Sequence, residues 1–336
     1  MQYSWQSPGR QDNNRGNSAS NPTLPGSPTL KFVSGSANGD KSTSIQPGAE
    51  AHDSEDYAQF KQCIFKKSGI DLNLYKQHQM HRRLHSMLER VNVRTFMEYY
   101  AILERNPQEY AQFLDRMTIN VSELFRNPEK WRELRERILP MLAQHSGRSG
   151  QGLKVWSAGC SYGAEPYTLA ILLEEALPGR KHTIHATDLD RTILAKAREG
   201  RFTAADVKNV PPEALTRYFT RLPSSTPNLP PDLDACFQVK AEVRNRVNFQ
   251  AQNLLADRFD SGYDLICCRN VVIYFTDDAK DNLYQRFCQA LRPGGVLFVG
   301  GTERIFNYRE LGFDTPLPFF YQREDTALVS GPLGRK

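Results

Sequence analysis

The chain has none of the sequence features of a membrane-spanning, secreted or disulfide-linked protein. No apolar run approaches the roughly 20 residues that a transmembrane helix needs, and the N-terminus lacks a hydrophobic signal core. The six cysteines form no CxxC pair, and the adjacent Cys267 and Cys268 lie inside an apolar run, which is typical of buried thiols. We therefore expect a cytoplasmic protein without structural disulfides and without direct membrane insertion.

A strong charge of one sign is also missing. The 336 residues include 43 Lys and Arg against 38 Asp and Glu, which gives a net charge of +5. Proteins that bind nucleic acid usually carry a larger and more clustered basic excess, and the chain has no basic-aromatic stacking platform. Composition therefore gives no reason to expect a nucleic-acid partner.

The first 54 residues contain few large apolar side chains. They are rich in Ser, Gly, Pro, Asn and Gln, and they carry equal numbers of acidic and basic residues. Because so little apolar surface is available for burial, it would not offset the entropy lost on ordering the segment. We expect a disordered tail over residues 1–54.

The next segment, residues 55–145, has a helical pattern. Asn106-Pro107 and Asn127-Pro128 each place an Asn where a helix is capped and a Pro at the first helical position. A polar, Gly-bearing linker over residues 144–152 follows these helices. The expected helices cover residues 55–68, 75–91, 95–105, 107–117 and 128–143.

Short apolar runs alternate with helical patterns from residue 146 to 325. This alternation predicts an α/β domain, a doubly wound and mainly parallel sheet with helices on both faces. Residues 202–246 interrupt the alternation with a proline-rich loop, which predicts a small inserted β-subdomain. The expected strands cover residues 153–157, 183–187, 247–250, 263–268 and 296–300. The last of them is expected to pair antiparallel with residues 318–321. The expected helices cover residues 165–177, 190–199 and 277–291.

The most informative local signal is a strand, a tight loop and a helix over residues 153–175. The strand ends at Gly159, and the loop that follows contains Gly163 and Glu165. In an open α/β sheet, a nucleotide-like ligand lies at the carboxyl end of the first strand. Because a carboxylate at the start of the helix repels phosphate, the loop favours a ligand without phosphate, or one that carries positive charge.

Polar residues also follow the second and fourth expected strands. Asp188 ends the second strand, where doubly wound folds bind ribose hydroxyls, and Asp190 is expected to cap the next helix. Arg269, Asn270 and Tyr274 follow the fourth strand and point to the same edge of the sheet. A turn is also expected at residues 291–295, before a late strand. The glycine loop, the acids after the second strand, the polar residues after the fourth strand and this turn, in this order along the chain, predict a site for S-adenosylmethionine.

Three segments carry a family resemblance: Thr118–Arg126 (TINVSELFR), Gly159–Tyr167 (GCSYGAEPY) and Cys268–Phe275 (CRNVVIYF). Through them the chain resembles the bacterial chemotaxis receptor methyltransferases, the CheR family, from about Tyr57 to Tyr321. A generic methyltransferase shares the second segment only loosely and the other two hardly at all. The resemblance implies a helical N-terminal domain and a doubly wound methyltransferase domain that contains a small β-subdomain.

The resemblance also implies the site residues. Arg126 and Tyr274 match the polar groups nearest the transferred methyl, so they are the expected catalytic residues. Glu165 and Asp188 match acids around the amino-acid and ribose parts of the cofactor. The expected cofactor-binding residues are Asn120, Ser122, Arg126, Glu165, Asp188, Asn253, Leu254, Arg269 and Asn270, of which Asn253 and Leu254 match the pair that lines the adenine.

The implied reaction is methyl transfer from S-adenosylmethionine to glutamate side chains of chemoreceptors, with S-adenosylhomocysteine as the second product. A free glutamate carboxylate has a pKa near ~4.3, so it is already ionised at neutral pH. It needs no general base, which fits the absence of an obvious His-based dyad at these motifs. We expect a monomer whose partner is the cytoplasmic helical domain of chemoreceptors.

A basic helix is the expected docking surface for that partner. Placed on a helix at ~100° per residue, Lys76, Arg83, Arg90 and Arg94 fall within one stripe. Receptor helices of the family are acidic near their methylation sites, so charge complementarity favours docking there. A solvated face of an amphipathic helix is the alternative interpretation.

Three histidines, His78, His81 and His85, lie on the other side of this helix. No acid or cysteine nearby completes a ligand set, so we expect solvated histidines and no metal site. The proline-rich loop at residues 221–232 lacks the glycine-bearing turn with which some family members hold a receptor peptide. This predicts an enzyme that works without such a tether.

Two alternative functions stay open on sequence grounds. Nucleic-acid methyltransferases that modify amino groups often carry an Asn/Asp-Pro-Pro-aromatic motif after the fourth strand, whereas residues 269–274 contain no proline. A scaffold that binds the cofactor without transferring methyl is the other alternative. The complete set of expected site residues argues against it.

Overall fold

The protein is described here by a computed structural model, which covers residues 47–118, 122–145, 151–223 and 236–324. No helix within these ranges combines the length and the apolarity that crossing a membrane requires. All six cysteines lie in these ranges as free thiols.

Four α-helices and one 3₁₀ turn form the N-terminal part of the described chain. They enclose a single core that contains the fully buried rings of Phe60, Phe96 and Phe113. The elements are α1 (Pro47–Ser68), the 3₁₀ turn Leu72–Leu74, α2 (Gln77–Arg90), α3 (Phe96–Arg105) and α4 (Pro107–Thr118).

Capping explains where two of these helices start. Thr95 and Glu98 form a capping box at the start of α3. The Asn106 side chain accepts hydrogen bonds from two backbone N–H groups in the first turn of α4, at 3.0 and 3.1 Å, which confirms the predicted cap. The helix expected at residue 55 begins earlier, at Pro47, so the predicted end of the tail at residue 54 falls inside α1.

A second helical stretch links these helices to the sheet. It consists of α5 (Pro128–Glu133), one π-helical turn (Leu134–Ile138) and α6 (Leu139–His145). Pro128 starts the first of these helices as predicted, but Asn127 makes no capping bond there. Although the sequence pattern groups this stretch with the preceding helices, its apolar side chains share a core with the sheet, and Trp131 packs edge-on against Phe298.

A seven-stranded sheet is the centre of the second part. Its spatial order is β6-β2-β1-β7-β8-β10-β9. The first five strands in this order run parallel, and β10 pairs antiparallel with both β8 and β9. The strands are β1 (Lys154–Ala158), β2 (Thr183–Asp188), β6 (Val247–Ala251), β7 (Tyr263–Cys268), β8 (Leu291–Val299), β9 (Phe313–Leu317) and β10 (Phe320–Arg323).

Helices cover both faces of this sheet, as the alternating pattern predicted. Neighbouring residues of one strand point to opposite faces, so Val155 joins one core cluster and Trp156 the other. The first cluster lies under α7 (Ala164–Ala176) and α8 (Arg191–Glu199), and the second under α11 (Asp277–Ala290).

A small antiparallel sheet interrupts the large one where the insertion was predicted. Its strand order is β3-β5-β4, with β5 paired to both neighbours. The elements are β3 (Arg201–Thr203), α9 (Pro212–Tyr218), β4 (Phe219–Leu222), β5 (Cys236–Val239) and α10 (Ala241–Arg244). Most of the loop at residues 221–232, on which the peptide-tether prediction rests, lies outside the described residues.

Two predictions near the C-terminal edge of the sheet are corrected. Residues 291–295 are not a turn before a strand, because β8 already begins at Leu291, which pairs with Tyr263. The pairing shifts register between Tyr263 and Leu265, so the Pro-Gly-Gly segment is an irregularity inside the strand. The strand expected at residues 318–321 is β10, shifted to Phe320–Arg323, and the outermost strand β9 was not predicted.

Candidate active site

A cleft opens at the carboxyl ends of the parallel strands. Strand β1 lies between β2 and β7, and the later strands are added outward on both sides of it. Ligands of open α/β sheets bind at such a switch point in the strand order. Residues that follow β1, β2, β6 and β7 line the cleft together with residues from the helical part. Its empty volume, which includes the part open to solvent, is about 970 Å³.

The loop after β1 is held close to the strands on both sides. The N–H groups of Gly159 and Cys160 both donate to the carbonyl of Thr187, at 2.8 and 2.9 Å. Gly159 has a φ of +80°, and a Cβ at this position would lie 2.5 Å from Cγ2 of Val271. Only glycine therefore lets the loop pass this close to the neighbouring segment.

Glu165 is buried in the first turn of α7, with 8% of its surface exposed. Its Oε1 accepts a hydrogen bond of 2.7 Å from the hydroxyl of Ser157 at the end of β1. Burial raises the pKa of Glu165 from its ordinary 4.5 to about 7, although the nearby Arg269 and the Ser157 hydrogen bond lower it. The site thus contains an acid that a cationic ligand would stabilise in its ionised form.

Asp188, at the end of β2, is the second buried acid of the cleft. Its two oxygens accept the N–H groups of Ser161 at 2.8 Å and Asp190 at 3.1 Å. Burial raises the pKa of Asp188. Because each carboxylate oxygen has two lone pairs, both can still accept a ligand hydroxyl. Asp190 caps α8 through the N–H of Thr192 at 2.7 Å, as predicted.

Arg269 ties the linking segment to the sheet. Its guanidinium packs against the rings of both Trp131 and Phe298, at 4.8 and 4.7 Å from their centroids. It also donates to the carbonyl of Arg126 at 2.9 Å and to the Asn127 side chain at 3.1 Å. Asn127 is therefore engaged by this arginine rather than by the helix that it was expected to cap.

Glu303 organises the turn after β7, and sequence reasoning missed it. Its carboxylate, 4% exposed, accepts the N–H groups of Asn270 at 2.6 Å, Gly300 at 2.8 Å and Val272 at 2.9 Å. Asn270 sits at a φ of +61°, a left-handed conformation that is strained unless its surroundings enforce it. Burial raises the pKa of Glu303, and the three bonds oppose that rise.

The helical part supplies one wall of the cleft. Tyr75 forms an isolated antiparallel bridge with Phe275, and the N–H of Lys76 donates to the carbonyl of Tyr274 at 2.9 Å. Burial, with help from the charge of Asp188, raises the pKa of Tyr75 to about 12. Met117 lines the same wall. Neither Tyr75 nor Met117 was predicted, because their place depends on how the two parts pack.

Eight of the nine predicted cofactor residues and both predicted catalytic residues line this one cleft. The ninth, Asn120, lies outside the described residues. The Asn253 side chain already makes two bonds, accepting from the N–H of Leu255 at 3.0 Å and donating to the carbonyl of Gly69 at 3.2 Å. Leu254 is buried beside it, and its carbonyl accepts from Arg286.

The predicted docking stripe is divided by the structure. Because α2 ends at Arg90, Arg94 does not lie on this helix. Arg90 forms an ion pair with the buried Glu109, to which the hydroxyl of Tyr99 also donates. The Arg83 guanidinium lies over the ring of Tyr274, 4.7 Å from its centroid, and Lys76 is the N-cap residue of α2.

Two of the three histidines are not simply solvated. The rings of His81 and His85 contact each other edge-on with centroids 4.3 Å apart, and both pack against Phe96. His78 is exposed, as expected. Among the residues that the structure describes, no group of three or more His, Cys, Asp or Glu is arranged to hold a metal ion.

The donor set of the cleft fits S-adenosylmethionine. The buried carboxylates of Glu165 and Asp188 line the cleft, which the glycine backbone at Gly159 keeps open. Glu165, at the start of α7, occupies the position at which a dinucleotide site would bind phosphate. The cofactor is a cation with ribose hydroxyls and no phosphate. Carboxylates therefore suit it where they would repel a nucleotide.

Replacing Glu303 by Gln is expected to destabilise the fold and slow methyl transfer. An amide has one acceptor oxygen where the carboxylate has two, so at least one of the three N–H groups loses its partner. The expected cost is about 1–3 kcal/mol of unfolding free energy, measured by urea denaturation. Glu310→Gln, at an exposed position of the same loop, is the control. Equal stability of the two variants would contradict this role.

Two models of one protein family together match most of the chain. Residues 55–118 match the model of the CheR methyltransferase all-alpha domain, and residues 120–314 match that of the CheR methyltransferase SAM-binding domain. Three similar curated proteins are all named chemotaxis protein methyltransferase. They come from Listeria innocua (37% identity, covering 80% of this chain and 97% of the relative), Salmonella typhimurium (34%, 73% and 82%) and Escherichia coli (33%, 76% and 86%).

Proposed function

The chain belongs to the CheR methyltransferase family and is an S-adenosylmethionine-dependent methyltransferase, and from this we propose that it methylates glutamate side chains of chemoreceptors. The product would be a glutamate methyl ester that adjusts receptor signalling. The proposed partner is the helical cytoplasmic domain of the receptor, and the enzyme is proposed to act on it as a monomer in the cytoplasm. The observation that carries the proposal is the cleft that collects the predicted cofactor residues together with Arg126 and Tyr274.

The cofactor supplies an electrophilic methyl group on a positively charged sulfur. In our proposal Glu165 and Asp188 hold its cationic and hydroxyl groups, since both are buried acids with acceptor capacity. Gly159 leaves room for it, and Leu254 offers an apolar contact for the base. Arg269 keeps the backbone at Arg126 in place beside the cleft.

The substrate carboxylate requires orientation and partial removal of water rather than deprotonation. Its ordinary pKa of about 4.3 leaves it ionised at neutral pH. Arg126 and the Tyr274 hydroxyl are proposed to hold it by hydrogen bonds so that one oxygen faces the methyl group. Tyr75 and Met117 line the cleft. In this proposal they exclude water from the reacting atoms, which strengthens these interactions.

Docking on the basic residues of the helical part remains a proposal. Arg83 is well placed because it reaches Tyr274, whereas Arg90 already neutralises the buried Glu109. Reversing the charge of Arg90 would therefore disturb the core as well as any docking surface. Lys76, the N-cap residue of α2, and Arg94, four residues beyond the end of this helix, remain predicted contributors.

Methyl transfer to receptor in membranes tests the proposal. Membranes that contain a chemoreceptor are incubated with methyl-labelled S-adenosylmethionine and the purified chain. The expected product is label on the receptor that mild base releases as methanol, as an ester requires. Receptor with its methylated glutamates changed to alanine serves as the control and should take up no label. Base-stable label, or label in nucleic acid, would contradict the proposal.

A further inference from the structure

A second depression, the basic groove, lies next to the cofactor cleft. It is an open groove of about 1350 Å³, including space open to solvent. Its charged lining consists of Arg83, Asp115, Arg116, Lys196, Glu199 and Arg201.

The basic groove has two walls from distant parts of the chain. Helices α2 and α4 contribute Arg83 and Arg116, while α8 and β3 contribute Lys196 and Arg201. Arg116, Lys196 and Arg201 are exposed. The docking stripe expected on α2 thus forms only one side of a wider basic surface.

Cationic groups predominate in this groove. Four cationic side chains face two acidic ones, Asp115 and Glu199. Glu199 lies 3.8 Å from Arg201, and both side chains are more than half exposed, so this pair contributes little to stability. The remaining excess of positive charge attracts an acidic partner and repels a basic one.

Two contacts connect the basic groove to the active site. Arg83 lines the groove and lies over the ring of Tyr274, which lines the cofactor cleft. Tyr162 also lines the groove, and its hydroxyl donates to the carbonyl of Ser122, another residue of the cleft. A chain segment in the groove would therefore lie beside the catalytic residues.

We propose that the basic groove holds the acidic receptor segment next to the glutamate that is methylated, gripped from both sides by the helical part and by α8 with β3. This inference rests on the proposed function, because it names how that substrate is held. It makes Lys196 and Arg201 determinants of substrate specificity, although they lie far in sequence from the basic helix. The charge excess and the shared wall with the cleft are the two observations that carry it.

The test is the double variant Lys196→Glu and Arg201→Glu. Its KM for receptor should rise by on the order of tenfold, and KM should depend less steeply on salt than in the unmodified enzyme. The dissociation constant for S-adenosylmethionine should not change, since neither residue lines the cofactor cleft. The neutral pair Lys196→Gln and Arg201→Gln should give a smaller rise of KM in the same direction.

A matched control carries the same change of charge elsewhere. Lys181→Glu with Arg258→Glu alters two exposed residues outside both the cofactor cleft and the basic groove. Its KM should stay within about twofold of the original. An unchanged KM in the groove variant, or an equal rise of KM in the control, would overturn the proposal that the groove binds the receptor. The proposed function would still hold in that case if the unmodified enzyme formed base-labile methyl groups on the receptor. Absence of that methylation would instead overturn the proposed function.

Discussion

Replacing Glu165 by Gln is expected to make the cofactor-free protein more stable and to weaken cofactor binding by on the order of 100-fold at about pH 8. Both effects come from one buried carboxylate. Above pH 7 this carboxylate is ionised in a low-dielectric site of the folded protein. There, only Ser157 and the nearby arginines compensate for the hydration that the carboxylate loses on burial. A bound cation would complete that compensation.

The stability effect has a defined pH window. The pKa of Glu165 is about 7 in the folded protein and near its ordinary 4.5 in the unfolded chain, so the folded state binds more protons between these values. Stability therefore falls as pH rises from about 4.5 through 7, by up to about 3 kcal/mol. The Gln variant lacks this loss because its amide oxygen still accepts from Ser157 and carries no charge. Urea unfolding at about pH 5 and pH 8 should show the two proteins diverging with pH.

The binding effect follows the same titration. Below about pH 7 Glu165 is protonated, so a cationic ligand must displace that proton, and affinity should fall by up to about tenfold per pH unit. Below about pH 7, isothermal calorimetry of cofactor binding should detect proton release for the unmodified chain and less proton release for Glu165→Gln. Glu175→Gln, at the far end of the same helix and outside the cleft, is the control and should keep full affinity. Full affinity in Glu165→Gln would show that this acid does not meet the cofactor.

Tyr274→Phe is expected to lower kcat for methyl transfer by about 100-fold with cofactor affinity changed less than about twofold. The variant removes the hydroxyl that we propose orients the substrate carboxylate. It keeps the ring, so the guanidinium of Arg83 retains its stacking partner. The backbone carbonyl that receives the N–H of Lys76 is also unchanged.

Single-turnover methyl transfer, alongside direct cofactor binding, separates the two quantities. Tyr308→Phe, whose ring packs on Tyr321 outside the cleft, should leave both unchanged. An unaltered rate in Tyr274→Phe would remove the hydroxyl from the mechanism. A large loss of cofactor affinity would instead assign it to the cofactor.

Residues that act within one strand and its following loop were predictable. Gly159, Glu165 and Asp188 line one cleft because a parallel strand delivers whatever follows it to the same edge of the sheet. Asp190 and Asn106 were recognised as caps because capping involves only the next turn of the chain. In such cases, the sequence neighbours are also the spatial neighbours.

Residues whose partners are distant in sequence were not predictable. Glu303 is an unremarkable acid in the sequence, yet it holds the backbone of Asn270 and Val272, more than 30 positions earlier. Asn127 has the pattern of a cap but accepts from Arg269 instead. Arg90 and Arg83 look alike on a helical projection, and only packing assigns one to Glu109 and the other to Tyr274.

The sequence by itself determined the α/β order, the glycine loop and the acids of the cofactor cleft, since local hydrophobic periodicity and strand direction specify them. The tertiary structure decided which side chains converge from the helical part, from α8 and from the insertion. Tyr75 and Met117 line the cleft, and Lys196 and Arg201 line the basic groove together with Arg83 and Arg116. These pairings depend on surfaces that meet only after folding, because burial of each domain's apolar face brings together residues that no local pattern connects.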